Sequence, residues 1–131
     1  MTSIETIKTL YEAFKLKDYT LFRSLCDANL EWIQTKGFPN GRHHRGADAV
    51  IQNVFEKFKD DWEYFKFEVE DMFESRDGSK VTVVGAYVGK HQMTAKEVEA
   101  ATVHLLTIEN HKVKTFRQFT DTAVIIAAMQ P

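Results

Sequence analysis

The strongest constraint on this chain is its closing stretch, Ala101–Asp121, which reads ATVHLLTIENHKVKTFRQFTD. From Val98 to Ile108, every second residue falls on one side of an extended strand: Val98, Ala100, Thr102, His104, Leu106 and Ile108. Asn110-His111 supplies the turn, because Asn tolerates the positive φ that a short hairpin needs. The chain returns through Val113, Phe116 and Phe119 to Asp121, and Thr122–Met129 follows as a short apolar, helical tail. Two residues do not fit a purely structural hairpin. His104 stands mid-strand between apolar neighbours, and Asp121 is an acid where the strand gives way to the tail. The upstream segments read as what is needed to build a pocket around them.

Composition narrows what that pocket can serve. A chain of 131 residues forms one domain with one substantial core. Apolar residues at 44% and aromatic residues at 12% exclude disorder. Ten Phe residues fit a deep core or the walls of an apolar cavity. A net charge of −2 argues against a general nucleic-acid binder, which needs a basic face. The N-terminus has neither a basic segment nor an apolar one, so no signal peptide is expected. No apolar run approaches the ~20 residues of a membrane span. Cys26 is the only cysteine, which excludes an internal disulfide and points to a reducing, cytoplasmic location. It reads as a small buried side chain.

Taken in order, Thr2-Ser-Ile-Glu5 has the form of a capping box, and Ile4, Ile7, Leu10/Tyr11 and Phe14 carry a helix to about Leu16. Asp18 caps a second short helix with Leu21, Phe22 and Leu25 on its apolar face. Leu30–Gln34 is a strand with Leu30, Trp32 and Gln34 on one side. Residues 35–46 (TKGFPNGRHHRG) read as a loop. A third helix follows, with Asp48 in its first turn and a stripe of Val50/Ile51, Val54/Phe55 and Phe58, and Trp62 lies just beyond. Tyr64–Ser75 alternates, with Phe65, Phe67, Val69, Asp71 and Phe73 on one side. Asp77-Gly78 is a hairpin turn into a Val-rich strand, Lys80–Gly89, and Lys90–Lys96 is a polar connection. The order α-α-β-α-β-β-β-β implies an α+β fold, with helices on one face of a curved antiparallel sheet.

That order resembles the NTF2-like superfamily and, within it, the SnoaL-like (polyketide cyclase and ketosteroid-isomerase-like) proteins. The likeness spans nearly the whole chain and implies a single domain over 1–131. It is carried by the helical start ending in Leu16-Lys-Asp18, the strand with Trp32, and the Gly41…Gly46 loop entering a helix. The closing hairpin adds His104, a turn and an aromatic strand ending in Asp121. The resemblance implies a cone, a bent sheet whose concave side holds a ligand pocket under helices. It also sets the chain against known chemistries. Where ketosteroid isomerases carry a catalytic Asp in the first strand, this chain has Trp32. Their oxyanion-hole Tyr on the first helix matches Leu10, with Tyr11 one residue off, and their second oxyanion donor matches His104. Gly85-Ala86-Tyr87 stands where the limonene-epoxide-hydrolase type needs Arg-x-Asp. Asp121 matches the last-strand acid/base of SnoaL-type cyclases.

The expected site is therefore Asp121 and His104 as acid/base and orienting residues, with Phe14, Trp32, Phe55, Phe58, Trp62, Tyr87 and Phe119 lining an apolar ligand pocket. Each catalytic residue has a competing structural role: His104 as a hydrogen-bonded core histidine, Asp121 as the N-cap of the last helix. Arg42-His43-His44-Arg45 is a cationic loop, most simply solvated; without acids at suitable spacing it makes a poor metal site, so neither metal nor organic cofactor is expected. The two functional readings are an isomerase, cyclase or lyase acting on a carbonyl-bearing ligand, and a non-catalytic binding or dimerisation module. Apolar residues on the other sheet face, among them Val84, Val88, Val103 and Leu105, point to a homodimer. Counting from the turn pairs His104 with a residue near Thr115–Arg117 and Asp121 with Ala100. The two would lie ~13 Å apart along the ladder, facing one pocket at different depths.

Overall fold

The structure is a computed structural model describing residues 1–39 and 41–131. Helices α1 (Ser3–Leu16) and α2 (Tyr19–Leu25) open the chain. The capping box forms: the Thr2 side chain accepts from the Glu5 N–H, and the Glu5 carboxylate accepts from the Thr2 N–H. Lys17 takes a left-handed conformation with φ of 56° and ends α1, and Asp18 accepts from the Leu21 N–H to start α2. Strand β1 (Cys26–Ile33) begins earlier than its sequence pattern suggests. Within the expected loop, His43–Arg45 forms a short strand, β2, antiparallel to β1; Asn40 of that loop lies outside the described residues.

The third helix is a composite: α3 (Ala47–Val50), a π-helical turn (Ile51–Phe55) and α4 (Glu56–Asp61). Three long strands follow, β3 (Trp62–Glu74), β4 (Lys80–His91) and β5 (Glu97–Glu109), then β6 (Lys112–Thr120) and α5 (Thr122–Met129). They form one sheet in the order β2-β1-β6-β5-β4-β3, with β1 and β6 parallel and every other pair antiparallel. Both expected turns join neighbouring antiparallel strands. Asn110 and His111 have φ of 53° and 63°, the left-handed pair of a type I′ turn, and Gly78 has φ of 74°.

The sheet bends because β3 is bulged twice, between Trp62 and Tyr64 and between Val69 and Asp71. Each bulge sits beside a β4 glycine. A Cβ at Gly85 would come 2.2 Å from the Glu68 carbonyl oxygen, and one at Gly89 would come 2.9 Å from that of Tyr64. The second bulge also corrects the expected alternation. Past Val69 the phase flips, so Met72 turns toward the core and Phe73 is 56% exposed.

Two apolar clusters fill the concave side. The larger joins Ile7, Leu10 and Ala13 of α1 and Phe22 of α2 to Trp32, Phe55, Val83, Leu106 and Phe116. The smaller places Ile125 and Ala128 of α5 against Phe38, Trp62, Tyr87 and Val98. No helix among the described residues is long and apolar enough to cross a membrane.

Candidate functional site

His104 lies where the two clusters meet. Strand alternation turns it inward with Thr102 and Leu106, and it is 2% exposed. Its ring lies between those of Phe67 and Phe116, with centroids 4.2 and 4.5 Å away. Burial against these rings penalises the imidazolium and lowers the His104 pKa from 6.5 to about 3, so the ring is neutral at physiological pH. Both ring nitrogens meet tyrosines: Nδ1 lies 2.7 Å from the Tyr11 hydroxyl and Nε2 lies 2.8 Å from that of Tyr87. Burial raises the pKa of both phenols, so both keep their protons.

The proton positions follow from a backbone group at the far end of the network. The Thr35 N–H donates to Oε1 of Gln118 at 3.1 Å, which fixes the amide orientation. The Gln118 Nε2 therefore donates to the Tyr87 oxygen at 2.7 Å. If His104 carried its proton on Nε2, the Tyr87 oxygen would accept twice and its own proton would be stranded in a fully buried site. Such a group costs ~1–3 kcal/mol. The arrangement that strands no proton at the fully buried Tyr87 has Tyr87 donating to Nε2 and His104 donating from Nδ1 to the Tyr11 oxygen. The Tyr11 O–H proton then has no acceptor in the network.

Tyr11 lines a cavity of about 30 Å3. Its apolar wall includes Phe14, Trp32, Phe55 and Phe58 together with Phe67 and Phe116; its polar groups are Tyr11, Tyr87, His104, Gln34 and Gln118. The volume holds a water or two and no organic ligand. A second void of about 20 Å3 lies beyond Phe58, lined by Phe38, Trp62, Phe65 and Ile125. Trp62 thus borders this neighbour and not the His104 cavity. An open groove of about 860 Å3 runs outside, between α1, α4 and β3, and shares Tyr11, Phe14, Phe55, Phe58 and Phe67 with the cavity.

Two expected site residues lie elsewhere. A bulge shifts the β5–β6 register by one residue at Thr107/Ile108, so His104 pairs with Gln118 and the Asp121 N–H bonds the Ala101 carbonyl. The same bulge allows Val113 and Phe116 both to face inward. Beyond it, strict alternation buries Gln118 and turns Phe119 out, 42% exposed beneath the Arg117 guanidinium at 5.0 Å. Asp121 is exposed and caps α5, its Oδ1 accepting from the Val124 N–H at 3.3 Å. The structure does not bring Asp121 to the cavity or to His104.

Tyr11 and Gln118 complete the site, and only one of them was visible in sequence. Tyr11 sits one position from the expected oxyanion donor. The sequence signal for Gln118 is a polar residue in phase with Phe116 on the inward side of β6.

In the cationic loop, His43 and Arg45 lie 3.2 and 3.9 Å from Glu31, while His44 is buried with Nε2 unpartnered. Among the described residues no group of three or more His, Cys, Asp or Glu side chains is placed to hold a metal ion.

A profile of the SnoaL-like domain matches residues 7–116. The chain belongs to the SnoaL-like family. No curated protein sequence matches it. Among solved structures, this SnoaL-like fold is similar to an NTF2-like protein from Burkholderia thailandensis, with 29% identity, 100% of this chain and 99% of that one covered, and a TM-score of 0.93. A putative SnoaL-like polyketide cyclase from Jannaschia sp. is 18% identical over 98% of this chain and 93% of its own, with a TM-score of 0.83. TerC, co-crystallised with polyporic acid, is 17% identical over 98% of both chains, with a TM-score of 0.86. The last two likenesses show the fold alone.

Proposed function

We propose that this SnoaL-like chain binds a small, mostly apolar molecule bearing a carbonyl oxygen, and that this oxygen accepts the free Tyr11 O–H proton. The observation that carries the reading is the proton count around His104. Two tyrosyl O–H groups and one imidazole N–H serve two contacts, and the proton left over sits on Tyr11 at the cavity wall. A lone donor in an apolar recess selects for an acceptor oxygen on an otherwise apolar ligand. The TerC complex with polyporic acid is consistent with a carbonyl-bearing ligand in this fold.

His104, Tyr87 and Gln118 position Tyr11, and Phe14, Trp32, Phe55 and Phe58 are the apolar wall. Polarising a carbonyl is also how such a site would stabilise an enolate, so an isomerase or cyclase step is the second reading. Binding is favoured over proton transfer because the described lining of the cavity includes no carboxylate and burial, which pushes the His104 pKa down to about 3, leaves its imidazole a weak base. We also propose that the outer sheet face pairs with a second copy of the chain.

Titration calorimetry with acetophenone and ethylbenzene tests the ligand reading. Tyr11→Phe should weaken acetophenone about tenfold, the worth of one hydrogen bond, and leave ethylbenzene unchanged. Equal effects on both, or none on either, would refute it.

A further inference from the structure

We infer that Phe58 is the partition that decides what size of ligand the cavity admits; the inference rests on the binding reading above. The His104 cavity, at about 30 Å3, is far below the ~150 Å3 that admits benzene in an engineered apolar core. A ligand therefore enters only if a wall moves. Among the described residues, Phe58 alone lines all three spaces: the cavity, the second void of about 20 Å3 and the open groove of about 860 Å3. Its ring is half-buried and stacks on that of Phe65 with centroids 4.5 Å apart, and it meets Phe14 and Phe38 edge-to-face with centroids 6.4 Å away. A swing of that ring into the groove joins both voids and vacates one ring's space between them. The space left by a phenyl group holds a ligand's aromatic ring.

The local backbone fits this role. Phe58 lies on α4, which has six residues, none of them fully buried. The segment directly follows the π-helical turn Ile51–Phe55, and neither piece has a side-chain N-cap. π-turns inside helices concentrate at functional sites, and a helix with no buried anchor belongs to the part of a fold that opens most readily. The fixed walls contrast with it. Tyr11 is tied to His104, and Trp32 stacks on Phe116 at 3.6 Å.

Trp32 borders the cavity and Trp62 the second void, so tryptophan quenching reports on ligand in either space. The probes are acetophenone, with one ring, and 2-acetonaphthone, with two. For the wild type the affinity ratio should favour the one-ring ketone, and its observed binding rate should level off with concentration as opening becomes limiting. Phe58→Ala should shift the ratio at least tenfold toward the two-ring ketone and restore a rate linear in concentration. Phe58→Leu should fall between, and Phe58→Trp should shift the ratio the other way. The Leu and Trp variants keep the test informative if the Ala variant does not fold. Tyr11→Phe should weaken both ketones and leave their ratio unchanged. A ratio within twofold of wild type in every Phe58 variant, with Tyr11→Phe still weakening binding, would overturn the partition and leave the binding reading intact. Absence of binding of either ketone to wild type and every Phe58 variant would overturn both.

Discussion

Asp121 and His104 each have a chemical and an architectural reading in sequence, and the backbone puts them in opposite surroundings: one at the surface, one in the core. Asp121 is exposed and accepts from the Val124 N–H, so its measurable contribution is to start α5. Asp121→Asn should leave the melting temperature nearly unchanged, because Asn caps well, and Asp121→Ala should cost about 1 kcal/mol in a chemical denaturation curve. An Asn variant that unfolds as readily as the Ala variant would contradict a capping role. His104 makes an opposite kind of prediction. Its native pKa of about 3 lies below the ordinary 6.5, so between these values the unfolded chain binds a proton that the native chain does not. Stability is then complete above about pH 6.5 and falls as the pH drops, by up to ~1.4 kcal/mol per unit. Burial, with Arg42 and His43 nearby, also lowers the His44 pKa, and its protonation costs stability in the same direction as the pH falls. Urea unfolding at pH 7 and pH 5 should show the loss, and His104→Gln should reduce it. Imidazole nitrogen NMR at pH 6 should show a neutral ring protonated on Nδ1; the Nε2 tautomer would undo the argument for a free Tyr11 proton.

At the scale of elements, the glycines of β4 leave no room for a side chain. Gly85 faces Val69 beside a β3 bulge, and any Cβ there meets the Glu68 backbone at 2.2 Å. Gly85→Ala should cost ~1–3 kcal/mol, as overpacking does, and lower the melting temperature; a neutral effect would mean that the bend does not depend on this close approach. The elements themselves were legible in sequence because their signals are local. The capping box, the Asp18 cap, the Asp77-Gly78 and Asn110-His111 turns and the alternation of β5 each lie within a few residues. Bulges are not local in that sense, since an extra residue is defined only against its partner strand. For that reason the sequence alternation does not carry the phase of β3 past Val69 or of β6 past Lys114, nor the placement of Phe73 and Phe119 and the pairing of His104 that follow from it. The site was legible only in part for the same reason: His104 was visible on its strand, whereas the network joins α1, β4, β5, β6 and the residue after Gln34.

At the scale of the whole molecule, the outward residues make rows that cross the sheet. Val84 pairs with Val103, and Val103 with Phe119; in the adjacent row Phe73 pairs with Thr82, Thr82 with Leu105, and Leu105 with Arg117. Leu105 and Phe119 are 40% and 42% exposed, and Val84, Val88 and Val103 are half-buried. This face is the one we propose to pair with a second copy of the chain: a two-fold pairing of identical sheet faces would cover it without leaving a free copy of the patch. Arg117 suits such an interface, since its guanidinium stacks on Phe119 and retains donors for a facing chain. Light scattering coupled to size exclusion should therefore give twice the chain mass at tens of micromolar. Leu105→Glu should shift the protein toward the monomer, because pairing would take two carboxylates out of water, a cost that the cross-strand Arg117 offsets only in part. The far side of the sheet holds the His104 network, so the variant's affinity for acetophenone should stay within a few-fold of wild type. A wild-type monomer at that concentration would refute the pairing, and a Leu105→Glu dimer would place the interface on another surface.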